Sequence, residues 1–210
     1  MKMAPDLQSL LQSPHVWRGG EHRDQQPAVS AISSGIPVLD KALPGGGWPR
    51  GALTEILHAH HGLGEVSLVI PAVTALNLQQ EYVAWIAPPF PLCAPALDSM
   101  GLALRHNLVI TPDNESDSLW ALEQTLRHGS CAAVLAWLSS PSTTQLRRLQ
   151  LAAEAGNTTA FLFRPQTVAR QASPAALRIL FSNQAQQHQL DILKCRGRFF
   201  KQPLLLAPLH

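Results

Sequence analysis

One stretch of the chain decides how it folds: Glu55-Ile56-Leu57-His58-Ala59-His60-His61-Gly62-Leu63-Gly64-Glu65-Val66-Ser67. It indicates the end of a β-strand, then a glycine-containing loop, then the start of a helix. That order is typical of a phosphate-binding loop, in which successive backbone N–H groups hold phosphate and a lysine reaches the outer oxygens. Since ligands of parallel sheets bind beyond the carboxyl ends of the strands, chemistry is expected in this loop.

The residues that grip a nucleotide are replaced in this loop. The consensus GxxxxGK[ST] starts with a glycine, but this chain begins the loop with His58 and Ala59, and its lysine and hydroxyl positions hold Glu65 and Val66. Gly64 keeps the second glycine position, and Gly62 lies just before it. An acid ~4 Å from a phosphate charge repels it by roughly 1–4 kcal/mol, and Glu65 is placed to interact with the positive end of its own helix. We therefore interpret the segment as a vestigial nucleotide loop without a cofactor, its anion site occupied by the carboxylate.

Two further requirements for nucleotide hydrolysis are missing from the expected strands. The apolar run Cys131–Leu138 carries no acid to hold Mg²⁺. The edge after Tyr82–Ala87 continues with Pro88-Pro89-Phe90 and supplies no carboxylate to activate water. The chain is therefore expected to have no catalytic residues and not to be an enzyme. The alternative is a divergent ATPase in which Arg50 or Lys41 replaces the missing lysine.

Apolar runs of strand length alternate with helical patterns along the chain. Strands are predicted at Leu53–Leu57, Tyr82–Ala87, Leu108–Ile110, Cys131–Leu138, Thr159–Phe163, Ala176–Phe181 and Gln189–Lys194. Helices are predicted at about Glu65–Gln79 and Ala94–Met100, from Ser116 or Asp117 to Gly129, and from Ser140 to Gly156. This alternation predicts an α/β fold, a mostly parallel twisted sheet with helices on both faces and an antiparallel C-terminal hairpin. An N-terminal helix and arm (1–30), a core (31–195) and a basic-aromatic tail (196–210) are expected.

Composition limits what kind of protein this can be. Hydrophobic residues make up 46% and charged residues 14% of the 210 residues, which is enough apolar material for one packed domain. The net charge of +2 does not by itself indicate nucleic-acid binding. Three scattered cysteines suit a reducing compartment, and no window reaches the ~18 apolar residues of a membrane span. The protein is expected to be soluble and cytoplasmic, without a membrane association.

Three histidines in the decisive loop raise the question of a metal site. Imidazole is a common metal ligand, and His58, His60 and His61 lie close together in sequence. No cysteine lies nearby, and Glu55 and Glu65 are the acids within reach. The favoured interpretation is a loop that fills the vacant nucleotide pocket with no metal bound, and a metal site is the alternative.

The order of these segments resembles the RecA family across nearly the whole chain. The resemblance begins with Ile32–Asp40 and Leu43–Gly51, a glycine-rich stretch before the first core strand. It continues through Tyr82–Ala87 and Asn107–Pro112, and the last two predicted strands are similar to the final hairpin of RecA. The resemblance implies a RecA-like core.

Within that superfamily, four segments are similar to signatures of the ImuA family, the RecA-like accessory proteins of the bacterial mutasome: Pro44–Glu55, Trp85–Pro89, Val134–Leu138 and Leu149–Gly156. The resemblance implies a non-catalytic role in SOS-induced translesion DNA synthesis, DNA repair and mutagenesis. The implied partners are RecA, ImuB and an error-prone DnaE-type polymerase. The related SulA proteins, which share the degenerate fold, imply an alternative, a cell-division inhibitor that binds FtsZ.

Candidate partner-binding residues lie at both ends of the chain and in one loop. The RecA resemblance implies that an N-terminal arm docks on a neighbour, and an exposed indole can anchor such a contact. The candidates are Leu7, Leu10, Leu11 and Trp17 in the arm, Trp48 in a Gly/Pro loop, and Arg196, Arg198, Phe199, Phe200 and Lys201 near the C-terminus. Seven basic residues against one acid between Arg164 and Lys201 indicate a protein contact or a weak DNA contact there, or else a solvated edge. Most of the other tryptophans are expected in the core.

Overall fold

The apolar runs of the sequence form strands that are buried on both faces of one sheet. A computed structural model describes residues 30–184 and 187–207. The strands are β1 Ala31–Ile32, β2 Trp48–Pro49, β3 Leu53–His58, β4 Val83–Ile86, β5 Asn107–Ile110, β6 Ala133–Trp137, β7 Thr159–Pro165, β8 Leu177–Gln184, β9 Gln187–Cys195 and β10 Leu204–Leu206. Every residue of β3, β4 and β6 is buried, as expected for central strands of a parallel sheet.

Five α-helices connect the strands within the described residues: α1 Pro37–Ala42, α2 Ile70–Leu78, α3 Ala94–Ser99, α4 Glu115–His128 and α5 Thr143–Gly156. Short 3-10 turns lie at Pro44–Gly46, Leu104–His106 and Gln166–Val168. None of the helices in this part of the chain has both the length and the apolar character needed to cross a lipid bilayer.

Eight strands form the main sheet in the order β10-β9-β8-β3-β7-β6-β4-β5. From β8 to β5 all neighbours are parallel, whereas β8, β9 and β10 pair antiparallel, so the predicted mostly parallel sheet and C-terminal hairpin are confirmed. β10 continues the sheet beyond residue 195, where the core was expected to end. The sheet extends further because the apolar run 204–206 pairs with β9 and places Leu206 in the core.

Side-chain caps set where the two long helices begin. α4 begins after Asn114, whose side chain accepts a hydrogen bond of 2.9 Å from the backbone N–H of Asp117. The prediction placed this cap at Ser116 or Asp117, slightly too late. α5 begins after Ser142, which forms a capping box with Gln145, and caps of this kind typically contribute about 1 kcal/mol.

The sheet buries one core on each face. One face packs against α2 and holds the large aromatic side chains, among them Trp85 and Phe161. The other face packs against α4 and α5 and consists of aliphatic side chains such as Leu122. The two helices approach closely because Gly156 has no side chain: a Cβ there would lie 1.9 Å from the carbonyl oxygen of Leu126. Helices on both faces, as predicted, are confirmed.

Candidate functional site

The loop between β3 and α2 lies at the carboxyl edge of the sheet, and Glu65 holds it closed. The residue is only 2% exposed. Its carboxylate accepts hydrogen bonds from the backbone N–H groups of Gly62 at 3.1 Å and Leu63 at 2.9 Å. The positive φ angles of Gly62 and Gly64 permit this tight turn. The acid at the expected lysine position therefore binds the amides of its own loop.

The helix after this loop begins later than predicted. α2 starts at Ile70, five residues beyond Glu65, and residues 65–69 form turns. The expected interaction of Glu65 with the N-terminus of its own helix is therefore wrong, and the loop amides take the place of the helix dipole. Pro71 sits in the first turn of α2, a position that proline favours because its missing N–H is not needed there.

Two imidazoles lie beside the acid. His58, the last residue of β3, is buried, and neither ring nitrogen forms a hydrogen bond of normal geometry among the described residues. Its ring centroid lies 4.7 Å from that of His61, and Nδ1 of His61 lies 4.0 Å from Oε1 of Glu65. Burial lowers the pKa of His58 below its ordinary value, although the Glu65 carboxylate acts in the opposite direction. Burial therefore favours the neutral form of the His58 imidazole, in which one ring nitrogen carries a lone pair.

A cavity of ≈ 330 Å³ opens beside these imidazoles. Its wall includes Trp137 and Phe163, whose stacked rings lie 4.7 Å apart. The ring of Trp85 continues this stack across the sheet, 6.2 Å from that of Trp137. Trp85 and Trp137 are core residues, as expected, whereas Trp120 is exposed on α4. The carboxyl edge of the sheet thus keeps a recess even though the loop amides are occupied.

Three buried charges lie in the middle of the sheet, and the sequence did not reveal them as a cluster. Glu55 of β3 is fully buried between Arg164 of β7 and Arg178 of β8. Nη1 of Arg164 donates to Oε1 of Glu55 at 2.7 Å, and Nε of Arg178 donates to the other carboxylate oxygen. The guanidinium of Arg178 also donates to three backbone carbonyls of the segment 168–171. The cluster ties β3 to both of its neighbours.

This cluster reduces the number of basic residues that the C-terminal region exposes on its surface. Arg164 and Arg178 belong to the seven basic residues that the sequence places near the C-terminus, yet both are buried in ion pairs. The signal that reveals them is a single charge inside an apolar strand, as in Leu-Thr-Glu55-Ile-Leu and Phe-Leu-Phe-Arg164. A charge in such a position must be paired, because burying it alone costs too much free energy.

Of the partner-binding residues predicted in the arm and in the Gly/Pro loop, the structure describes Trp48 alone. Leu7, Leu10, Leu11 and Trp17 lie outside the described residues. Trp48 is fully buried and packs edge-to-face on Phe161 at 5.3 Å. The expectation of an exposed anchor at Trp48 is wrong because β2 pairs with β1 and carries the indole into the core.

The basic-aromatic segment 196–201 is a surface feature. Phe199 is 85% exposed, and Arg196, Arg198 and Lys201 are exposed as well. The guanidinium carbon of Arg198 lies 5.4 Å from the ring centroid of Phe200, which is half-buried. The segment thus presents an apolar ring flanked by three cationic side chains.

Together these features define an α/β protein whose main loop is closed by an internal carboxylate. A family model described as cell division inhibitor SulA matches residues 51–160, and the chain belongs to this SulA family. The match covers the strands from β3 to the start of β7, including Glu55, Glu65 and the loop between them. The antiparallel strands β8 to β10 lie outside it.

Individual relatives carry two different names. The cell division inhibitor SulA of Serratia proteamaculans is 32% identical over 122 residues, which are 57% of this chain and 71% of that protein. The SulA of Pectobacterium carotovorum is 30% identical over 118 residues, 56% of this chain and 70% of that protein. Protein ImuA of Caulobacter vibrioides is 32% identical over 130 residues, 59% of this chain and 52% of that protein. The chain therefore spans about half the length of the ImuA relative.

Proposed function

We propose that this chain is a non-catalytic accessory protein of SOS-induced translesion DNA synthesis in the bacterial cytoplasm. It acts through contacts with RecA and with ImuB and a DnaE-type polymerase. The observation that carries the non-catalytic part is the closed loop: the Glu65 carboxylate accepts the backbone N–H groups of Gly62 and Leu63. A nucleotide phosphate would have to displace this carboxylate and then face its charge.

The ATPase alternative is weakened by the position of Arg50, one of its two substitute cations. Arg50 precedes β3, whereas the loop follows it. A strand of six residues spans roughly 20 Å at ~3.3 Å per residue, so Arg50 lies at the opposite edge of the sheet. A guanidinium there does not reach a phosphate held by the loop after His58.

Two lines support a role in the mutasome. The 32% identity to an ImuA protein agrees with the four ImuA-like segments, which fall on β2–β3, the end of β4, β6 and the second half of α5. The hairpin of β8 and β9, for which the RecA resemblance provides a counterpart, is an integral part of the sheet. These similarities support a RecA-like core.

The second candidate function is inhibition of cell division through FtsZ, and a specific finding favours it. The SulA family model matches residues 51–160, and two SulA proteins are covered over 70% or more of their length. Both functions are protein–protein contacts in the response to DNA damage, and the choice between them is a choice of partner.

The exposed segment 196–201 is the proposed contact surface within the described residues. An aromatic ring that is 85% exposed, as Phe199 is, gains much from burial at an interface. The neighbouring Arg196, Arg198 and Lys201 suit an acidic partner surface and favour fast association. Residues 1–30 supply the second expected contact, by analogy with the arm of RecA.

The test compares partners directly with the full-length chain. Binding to RecA filaments and to ImuB is measured by biolayer interferometry, and FtsZ GTPase activity is measured in parallel. We expect association with RecA or ImuB, weakened about 10-fold or more by Phe199→Ser, as for an aromatic anchor. Phe90→Ser is the matched control, because Phe90 is also exposed (65%) but lies at the other edge of the sheet, and it should bind normally. Block of FtsZ GTPase activity without binding to RecA or ImuB would establish the division inhibitor instead.

A further inference from the structure

We propose that His58, His61 and Glu65 form a binding site for a divalent transition-metal ion, with Zn²⁺ as the best-fitting ion. One ligand atom from each residue lies within 4.8 Å of the others, which makes them the metal-capable group among the described residues. Two imidazole nitrogens and one carboxylate oxygen are a donor set used by zinc sites that keep a fourth position open. The sequence favours a loop without metal, whereas the fold brings two of its histidines onto the acid.

The state of His58 is the first independent support for this site. A buried polar group normally has a hydrogen-bond partner, but neither ring nitrogen of His58 forms a hydrogen bond of normal geometry within the described residues. The backbone of His60 interacts with one ring nitrogen at most, which leaves the other for a metal. The residue is 98% buried, since its exposure is 2%, and its ring faces His61 at a centroid distance of 4.7 Å. Coordination of a metal by one nitrogen satisfies a group for which the core offers no partner.

The state of Glu65 is the second support. Its two oxygens each accept one backbone N–H, from Gly62 and from Leu63, and a carboxylate oxygen has a further lone pair. These hydrogen bonds fix the orientation of the carboxylate in the way that outer-shell partners orient metal ligands. A buried acid held in this manner favours a cation beside it.

The ligands are close to coordination geometry but not yet in it. With bonds of about 2.0–2.1 Å, ligand atoms of a tetrahedral zinc site lie roughly 3.3 Å apart. His58 is fixed by its strand and Glu65 by its hydrogen bonds. His61 has a side chain that is 41% exposed and precedes Gly62, which adopts a positive φ. A side-chain rotation of His61 therefore supplies the closing movement.

The neighbouring charged groups leave room for a cation. Arg164 lines the adjacent cavity, but its guanidinium is engaged with Glu55. His60 belongs to the same loop and lies outside the converging group. A bound metal would tie residues 61 and 65 to the end of β3, and its fourth position would face the ≈ 330 Å³ cavity. This site does not depend on which partner protein the chain binds.

The experiment titrates the full-length chain with Zn²⁺ alone, in competition with a chromophoric chelator. His58→Ala alters a buried residue, so the test uses His61→Ala, at a partly exposed position, and His60→Ala as the matched control in the same loop. We expect one Zn²⁺ per chain with micromolar or tighter affinity, unchanged within about 2-fold in His60→Ala and weakened at least ~10-fold in His61→Ala. Zn²⁺ should also raise the melting temperature of the wild type and of His60→Ala, but not that of His61→Ala.

Two results would overturn the proposal. One is a wild-type affinity no tighter than that of His61→Ala, which would mean that Zn²⁺ binds elsewhere, for example at the exposed Cys93. The other is an equal loss in His60→Ala and His61→Ala, which would indicate a diffuse effect of loop charge. A circular dichroism spectrum of each variant confirms that the fold is intact.

Discussion

Replacing Glu55 with Gln tests the buried ion-pair cluster. Glu55 is fully buried and accepts hydrogen bonds from the buried guanidinium groups of Arg164 and Arg178. A glutamine keeps one accepting oxygen, but its NH₂ group faces the second guanidinium and its negative charge is gone. Removing one partner of a buried ion pair typically costs about 3–5 kcal/mol, because the remaining charge stays buried without compensation. We therefore expect the free energy of unfolding to fall by that amount.

The assay is urea unfolding followed by circular dichroism, with thermal unfolding as a second readout. At ~2–4 °C per kcal/mol for a chain of this size, the melting temperature should fall by roughly 6–20 °C. Glu154→Gln is the matched control, since Glu154 pairs with Arg196 at 3.5 Å but both side chains are exposed, and exposed pairs contribute about 0–1 kcal/mol. Equal destabilisation by the two variants would refute the reasoning that burial makes the cluster essential.

Three further predictions address the loop, the helix contact and the cysteines. Glu65→Ala should lower the free energy of unfolding by about 1–3 kcal/mol, because two loop amides lose their acceptor; an unchanged urea midpoint would contradict the closed loop. Gly156→Ala should lower the free energy of unfolding by about 1–3 kcal/mol or more, because its Cβ would collide with a carbonyl oxygen. The loss should be larger than that caused by Gly46→Ala, where the positive φ alone costs ~1 kcal/mol and no atom lies near the added Cβ. Cys131 is buried, and burial raises its pKa, whereas Cys93 is exposed. Iodoacetamide should therefore alkylate Cys93 before Cys131 in the native protein, as followed by mass spectrometry. Faster alkylation of Cys131 would contradict its burial.

The strands could be predicted because their signal is local. Continuous apolar runs such as Cys131–Leu138 form central strands, and the structure places β6 within that run. The parallel direction of the central strands follows from the alternation of strands and helices, whereas the order of the strands in the sheet does not. The start of α2 at Ile70 was missed because the turns of residues 65–69 carry no periodic signal that separates them from a helix.

The charged cluster and Trp48 could not be predicted from local patterns. Arg164 and Arg178 are 109 and 123 residues away from Glu55 in sequence, so only the assembled sheet shows that they are partners. Trp48 stands in a Gly/Pro context that is typical of an exposed loop, and the pairing of β2 with β1 overrides it. The contacts that decide both cases are tertiary.

Local sequence patterns also could not predict which of the loop histidines converge, because their contacts are tertiary. The sequence shows three histidines and two acids near one another, but not which of them face each other. The fold selects His58, His61 and Glu65, because β3 buries the first and the turn at Gly62 returns the chain to bring the last beside it.

The most direct test of a loop closed from within is calorimetric titration of the full-length chain with Mg-ATP. We expect no binding heat up to millimolar nucleotide, because the Glu65 carboxylate already holds the amides of Gly62 and Leu63. Saturable binding of one nucleotide per chain in the micromolar range would contradict this and would require an active nucleotide site.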